Sequence, residues 1–349
     1  MTNWANAIGN FYGKYFVSAA NGTTAMYLLF RVLRLQKKKA LFPAISCTGP
    51  VNAAIFAGYD VCFADVREDD YVIDLDKAET ILRTGQVGVM IPTHIYGHMY
   101  DREKARFICE KHGVFLLEDA AQTVDVDGAD ASVVSFGHTK IFEAGRGGGI
   151  LSSNLSLVND ISREKLAFCE SEVPIAEDAF DSYRSRYYAI VKDQSLSEAR
   201  RYGKLHELQL DSRQYFISPD EASGEDIMRR LDDASSIMKK RIEKAQLYEK
   251  LLDKKFVTLP KVDFAARAVW RFTFLANSKR DELLEAARQQ DIDISSWYLP
   301  LHKIYETNDM CPAAEYVSDH VVNLWVDESH NLDGIRYDCE ILNKIFTEI

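Results

Sequence analysis

The first 155 residues alternate short, almost unbroken apolar runs with stretches of helical periodicity. The runs are ALFPA (40–44), VCFADV (61–66), VGVMIPTHIYG (87–97), VFLLEDA (114–120), ASVVSF (131–136) and GGILSS (148–153). Their Val and Ile content, without polar alternation, predicts strands covered on both faces. The segments 22–36, 49–57, 74–84 and 101–112 between them read as helices. Strand alternating with helix predicts an α/β fold with a mostly parallel central sheet. From about 155 to 240 the strand pattern fades into a helical, polar and irregular stretch. Within SPDEASGED (218–226), Ser218 and Pro219 read as a helix cap and first turn. A long helix over 225–253 follows, with Met228, Leu231, Ala234, Ile237, Met238 and Ile242 at helical spacing. A strand near VWRFTFLA (269–276) and helices near 279–289 and 333–347 describe a smaller α+β domain. The predicted domains are 1–235 and 236–349.

Composition narrows the class. The 349 residues carry 42 Lys and Arg against 53 Asp and Glu, a net charge of −11. That excludes a nucleic-acid binder working through phosphate neutralisation. With 47% apolar and 27% charged residues the chain is of ordinary globular composition. No apolar run reaches the roughly 20 residues of a membrane helix, and the N-terminus has no signal-peptide pattern. The six Cys (47, 62, 109, 169, 311, 339) form no CxxC pair or Cys/His cluster, so the expectation is a cytoplasmic chain with reduced thiols and no metal.

Ligands of open α/β sheets bind outside the carboxyl ends of the strands, and four segments put chemistry there. Asn21-Gly22-Thr23-Thr24-Ala25 opens a helix: Gly22 admits close backbone approach, and Thr23 and Thr24 stand where a helix N-terminus binds phosphate. VFLLEDAAQ (114–122) ends a buried strand in Asp119, a carboxylate that needs a cation. SVVSFGHTK (132–140) ends a strand at Ser135 and presents Lys140 ahead of AGRGGG, a placement from which an amine can form a Schiff base. PTHIYG (92–97) brings His94 and Tyr96 to a strand end, as ligand contacts or as packing. Each alone is also explained by a cap, a surface acid, a solvated lysine or a core aromatic. In this order they supply the parts that pyridoxal 5′-phosphate (PLP) requires: a Lys, an acid for the ring nitrogen and a phosphate cup.

At these residues the chain resembles the DegT/StrS family of PLP-dependent aminotransferases, best known as nucleotide-sugar aminotransferases. NGTTAMYLL, PAISCTGPVNAAIFAGYDVCFADV, PTHIYG, EDAAQ and SFGHTK followed by RGGGIL carry the likeness over about 10–155. It is weaker in KRIEKAQLYEKLL (240–252) and WYLPLHKIY (297–305). The resemblance implies PLP-dependent transferase fold type I, aspartate aminotransferase-like, and a homodimer. It implies that Lys140 carries PLP and moves protons, and that Asp119 salt-bridges the pyridinium. It implies that Thr23, Thr24 and Ser135 bind the phosphate, Ala121 packs beneath the ring, and Gln122 contacts the ring face or its 3′-oxygen side. Tyr298 and His302 fall where the family's C-terminal domain approaches substrate. The implied reaction moves an amino group from a donor, L-glutamate, to a nucleotide-linked keto-sugar in glycan or secondary-metabolite biosynthesis.

The sequence also departs from the family. Cys47 stands where an aromatic often stacks on the ring, and Arg146 where an acidic residue commonly precedes the glycines. The family's Asn-Tyr-Arg segment is not found and the region 170–215 is divergent; the chain also starts late, so the resemblance leads one to expect a missing N-terminal segment of about 20 residues. Arg184, Arg186, Lys192, Arg200, Arg201, Lys204 and Arg213 cluster in the divergent stretch, as a diphosphate contact or a solvated helical face. Two other readings stay open: sugar dehydratase-like chemistry, against which Lys140 argues because those relatives carry His there, and a non-catalytic PLP-fold binding protein. His112, His206, His320 and His330 read as structural or surface, and Trp270, Trp297 and Trp325 as core.

Overall fold

The computed structural model describes residues 3–170, 179–211 and 223–349. All six predicted strands form, as β2 (Lys39–Pro43), β3 (Asp60–Ala64), β4 (Val89–Met90), β5 (Phe115–Asp119), β6 (Ala131–Ser135) and β7 (Gly148–Ser152). They join β1 (Tyr15–Ala19), which the apolar pattern did not reveal, in one sheet of order β1-β7-β6-β5-β4-β2-β3. From β6 to β3 every pairing is parallel, while β7 runs antiparallel to both β6 and β1. The chain is thus an α/β protein with a mostly parallel central sheet. The predicted helices appear as Gly22–Val32, Thr48–Phe56, Leu75–Leu82 and Arg102–His112.

β4 is shorter than its apolar run. Beyond Met90 the ladder continues as single bonds, Ile91 N–H to the Leu41 carbonyl (2.8 Å) and Asp119 N–H to the Pro92 carbonyl (3.0 Å). It ends in a tight turn where Tyr96 and Gly97 have φ of 57° and 90°. A Cβ on Gly97 would lie 2.8 Å from the Trp270 nitrogen and 3.2 Å from the Gln122 carbonyl. Here the two sheets meet: Trp270 N–H donates to the Tyr96 carbonyl at 2.8 Å. Gly97→Ala is therefore expected to cost about 1–3 kcal/mol of stability, from a left-handed residue and a displaced strand. A thermal melt checks it, and an unchanged Tm would mean that the contact has slack.

The expected long helix over 225–253 is two helices, Ser223–Asp232 and Ala234–Leu251, jointed at Asp233. Aspartate is a poor helix former that favours caps. The proposed entry at Ser218 and Pro219 lies outside the described residues. A second, wholly antiparallel sheet has the order β10-β11-β9-β8, from β8 (Val257–Thr258), β9 (Phe272–Ala276), β10 (Ile294–Ser295) and β11 (Val321–Leu324). It packs with Arg280–Arg288 and Leu332–Glu348 around a separate core including Phe264, Phe272, Phe274 and Leu342. No helix among the described residues is long and apolar enough to cross a membrane.

Candidate active site

The carboxyl ends of β2, β5 and β6 and the mouth of helix Gly22–Val32 converge on one site. Asp119 closes β5 and is 2% exposed. Its Oδ1 accepts the Ala121 amide (3.0 Å), while among the described residues Oδ2 has only the Thr93 hydroxyl at 3.4 Å, itself 3.1 Å from that of Ser46. Burial pushes the Asp119 carboxyl up, opposed by the Ala121 amide and the charge of Lys140. A buried carboxylate so thinly partnered asks for a cation.

Lys140 sits on a turn clamped from two sides. Glu143 accepts the Thr139 amide at 3.0 Å and faces His138 Nδ1 at 3.2 Å, while the Trp270 indole donates to the Thr139 carbonyl. Thr139 has φ 68°, an uncommon conformation for a β-branched residue, stabilised by those contacts. The Lys140 amine lies 5.6 Å from the centre of the Trp270 ring. Burial lowers its pKa, and nearby Arg271 adds to the effect against the pull of Cys47 and Asp119. A lysine held toward its free-amine form is a nucleophile.

The anion cup lies opposite. Asn21 Oδ1 caps the helix by accepting the Thr24 amide at 2.7 Å, leaving the Gly22 and Thr23 amides at the mouth. A Cβ on Gly22 would stand 3.5 Å from Ser135 Cβ and 3.9 Å from its Oγ, so the Ser135 hydroxyl lies close beside the helix mouth. Thr23 packs against Gly49, where a Cβ would come within 2.6 Å of its hydroxyl. A helix N-terminus beside the Ser135 hydroxyl, an under-partnered buried acid and a lysine of lowered pKa suit PLP. Among the described residues no His, Cys, Asp and Glu group could hold a metal.

The structure separates the remaining candidates. Tyr298 is at the site: it stacks on Trp270 (6.4 Å) and Tyr96 (6.0 Å), and its hydroxyl accepts from Gln122 Nε2 at 3.2 Å. Gln122 is a brace, since its Oε1 also accepts the Tyr96 amide at 2.7 Å. Cys47 is exposed beside Lys140 and caps helix Thr48–Phe56 without a side-chain bond. Three of the candidates for substrate contact are packed inward. His94 is 0% exposed, bonded to Glu118 at 2.8 Å and stacked on Tyr100. Glu118, not Asp119, is the fully paired acid of EDAAQ, also taking Ser132 (2.6 Å) and Arg102 (3.0 Å). Tyr96 lies behind Tyr298 with its hydroxyl donated to the Trp297 carbonyl. His302 is buried against Glu315 at 3.2 Å. Arg146 is exposed on the glycine turn.

Two contributors escaped the sequence reading. Trp270, expected in the core, is buried and also carries the Lys140 amine; Arg271 beside it is a charge within an apolar run, and that was its signal. In the divergent region, Tyr183 bonds Gln209 (3.2 Å) and the Thr48 hydroxyl (3.4 Å), and Trp297 donates to the Tyr188 hydroxyl (3.0 Å), so helix Ala179–Lys192 is tied to the residue after Cys47 and to the loop carrying Trp297. Arg184, Arg186, Lys192, Arg200 and Lys204 are exposed, as in the solvated-face reading of the basic cluster, whereas Arg201 is half-buried; Arg213 lies outside the described residues.

Sheet order and site together define a PLP-dependent transferase of fold type I. The sequence model of the DegT/DnrJ/EryC1/StrS aminotransferase family matches residues 2–217 and 222–342, and the chain belongs to that family. Among curated relatives, GDP-perosamine synthase of Vibrio cholerae is 26% identical over 161 residues, 44% of each chain. The dTDP-3-amino-3,4,6-trideoxy-alpha-D-glucose transaminase of Micromonospora megalomicea is 28% identical over 162 residues, 44% of this chain and 43% of its own. These matches span less than half the length of either relative. The crystal structure of NtdA from Bacillus subtilis with bound cofactor PMP superposes with a TM-score of 0.75 at 19% identity, over 99% of this chain and 76% of that one.

Proposed function

We propose that this chain is a PLP-dependent aminotransferase that carries the amino group of L-glutamate to a nucleotide-linked keto-sugar, as a cytoplasmic homodimer. In this reading residues 1–235 hold the cofactor and 236–349 close the site. The observation that carries it is the convergence of Lys140, Asp119 and the helix mouth at Gly22 beside Ser135 at one end of one sheet. The names of the relatives, transaminases and synthases of amino sugars, support the substrate class.

When bound, PLP supplies an electron sink that stabilises negative charge at the donor's α-carbon. Asp119 would keep a proton on the ring nitrogen, trading its desolvated charge for an ion pair. Gly22 and Thr23 amides and the Thr23, Thr24 and Ser135 hydroxyls would hold the phosphate. Ala121 would lie under the ring. Lys140 is the nucleophile that holds the cofactor, and then the base that moves the α-proton of the donor. Its depressed pKa serves both roles.

The test is absorption spectroscopy of the PLP-loaded chain. Glutamate is expected to bleach the visible band, and the correct nucleotide-linked keto-sugar to restore it. A chain that takes up no PLP would sink the proposal, and a band unmoved by any amino donor would remove transamination.

A further inference from the structure

Tyr187 lies near the middle of helix Ala179–Lys192, and nothing in the roles above uses it. The helix is anchored before and after this residue. Four positions back, the Tyr183 hydroxyl is 3.4 Å from the Thr48 hydroxyl and bonds Gln209, which also accepts from Asn52 at 3.2 Å. One position on, the Tyr188 hydroxyl accepts from the Trp297 indole at 3.0 Å. Thr48 follows Cys47 and Trp297 precedes Tyr298, so the two anchors flank the site that holds Lys140 and Asp119. Tyr187 stands between them, half-buried, with its ring 6.1 Å from that of Tyr183 and 5.6 Å from that of Tyr188. Its hydroxyl has no hydrogen-bond partner among the described residues.

Cys47 is exposed, yet burial raises its thiol against the pull of Lys140, and the charge of Asp119 also reaches it. A group both accessible and poorly hydrated lines a narrow cleft. Tyr187 is in the same condition: half-buried, its hydroxyl is pushed well above the usual range by burial, with Tyr183, Tyr188, Tyr202 and Cys47 adding to the effect. Cys47 and Tyr187 therefore share the cleft in which Lys140 and Asp119 stand. A flat aromatic cofactor in that cleft gains from an aromatic surface on its face, and a single sulfur covers little of a ring. The other rings at the site are engaged. Tyr298 is stacked on Trp270 and on Tyr96, at interplanar angles of 21° and 29°. Trp270 carries the Lys140 amine at 5.6 Å and the Arg271 guanidinium at 4.4 Å from its ring centre. Tyr187 meets its neighbours tilted at 36° and edge-on at 83°, so among the described residues no ring is stacked parallel on its face.

We propose that Tyr187 covers with its ring the face of PLP that Cys47 leaves open, so that helix Ala179–Lys192 contributes a cofactor contact. The proposal rests on PLP being held by Lys140. It is tested by titrating PLP into the cofactor-free chain and following the visible absorption and circular dichroism of the bound cofactor. Tyr187→Leu is expected to weaken PLP binding about tenfold and to alter the visible dichroic band. Tyr187→Phe should match the wild type within about twofold, because the ring stays and the hydroxyl has no partner to lose. Adding Cys47→Phe to Tyr187→Leu is expected to recover the affinity, since a ring returns to the same face; a helix merely loosened by the substitution would not recover. Wild-type affinity in Tyr187→Leu, or a double variant that binds no more tightly than Tyr187→Leu, overturns the assignment. Should Tyr187→Leu not fold, hydroxyl-radical footprinting of the wild type decides: PLP is expected to shield Tyr187 from oxidation, and equal oxidation with and without PLP overturns the contact. Borohydride reduction separates the two failures. No cofactor on Lys140 in the wild type ends the aminotransferase reading and this contact with it, whereas cofactor on Lys140 with unaltered PLP affinity in Tyr187→Leu ends this contact alone.

Discussion

Lys140→Ala is expected to lower transamination roughly 10⁴-fold or more, the upper end of what a positioned acid–base group contributes. The same substitution removes the attachment point, so borohydride reduction followed by peptide mapping should find PLP on residue 140 in the wild type only. The variant should fold. The turn is held by Glu143 at the Thr139 amide and by Trp270 at the Thr139 carbonyl, and neither contact involves the lysine side chain. Removing a partly buried amine whose ammonium form is disfavoured relieves a desolvation cost, so the cofactor-free variant should melt at or above the wild-type temperature. Activity within tenfold of wild type would place the chemistry on another residue.

Asp119→Asn should separate stability from function. Activity is expected to fall by roughly 10²–10³-fold, because a neutral amide cannot hold the ring nitrogen as its charged form. The cofactor-free variant should nevertheless be more stable than wild type at neutral pH. The folded-state pKa of Asp119 is raised above the ordinary 3.8 by burial. The folded chain therefore holds this proton to higher pH than the unfolded chain does. For such a group stability declines as pH rises through 3.8 toward the folded pKa, and the full deficit remains at pH 7. The stabilising effect of Asn should thus be largest at neutral pH and shrink toward zero below pH 3.8. Melting curves of the two apo chains against pH measure it directly. A gap that grows on acidification would mean that Asp119 has a stronger partner than the Ala121 amide and the Thr93 hydroxyl.

These two residues were legible because a buried strand ending in an acid, and a lysine presented just past a strand end, are unusual enough in chemistry to stand out from a solvated surface. The placements that the sequence left open have a common physical source. His94 and Asp119 both sit at strand ends, yet one packs inward onto Glu118 and Tyr100 while the other faces the site. A side chain's direction at the end of a ladder depends on local twist and on the elements laid across it. Tyr96 was drawn behind Tyr298 because residues Val269 and Trp270, remote in sequence, press on the turn at Gly97. Arg271 announced itself only as a charge in an apolar run; that Trp270 and Trp325 clasp it required the second sheet to be in place.

The sequence by itself determined the alternation of strands and helices, the mostly parallel sheet and the chain order of helix mouth, acid, serine and lysine. Those follow from periodicity and from the cost of burying charge, which are properties of neighbours along the chain. The tertiary structure alone decided which side chains share one site. Lys140 meets Trp270, Tyr298 meets Gln122, and helix Ala179–Lys192 meets the loop that carries Trp297, in each case through contacts more than a hundred residues apart. Such pairings depend on how two sheets dock, and docking is set by the shapes of packed surfaces rather than by any local run of residues.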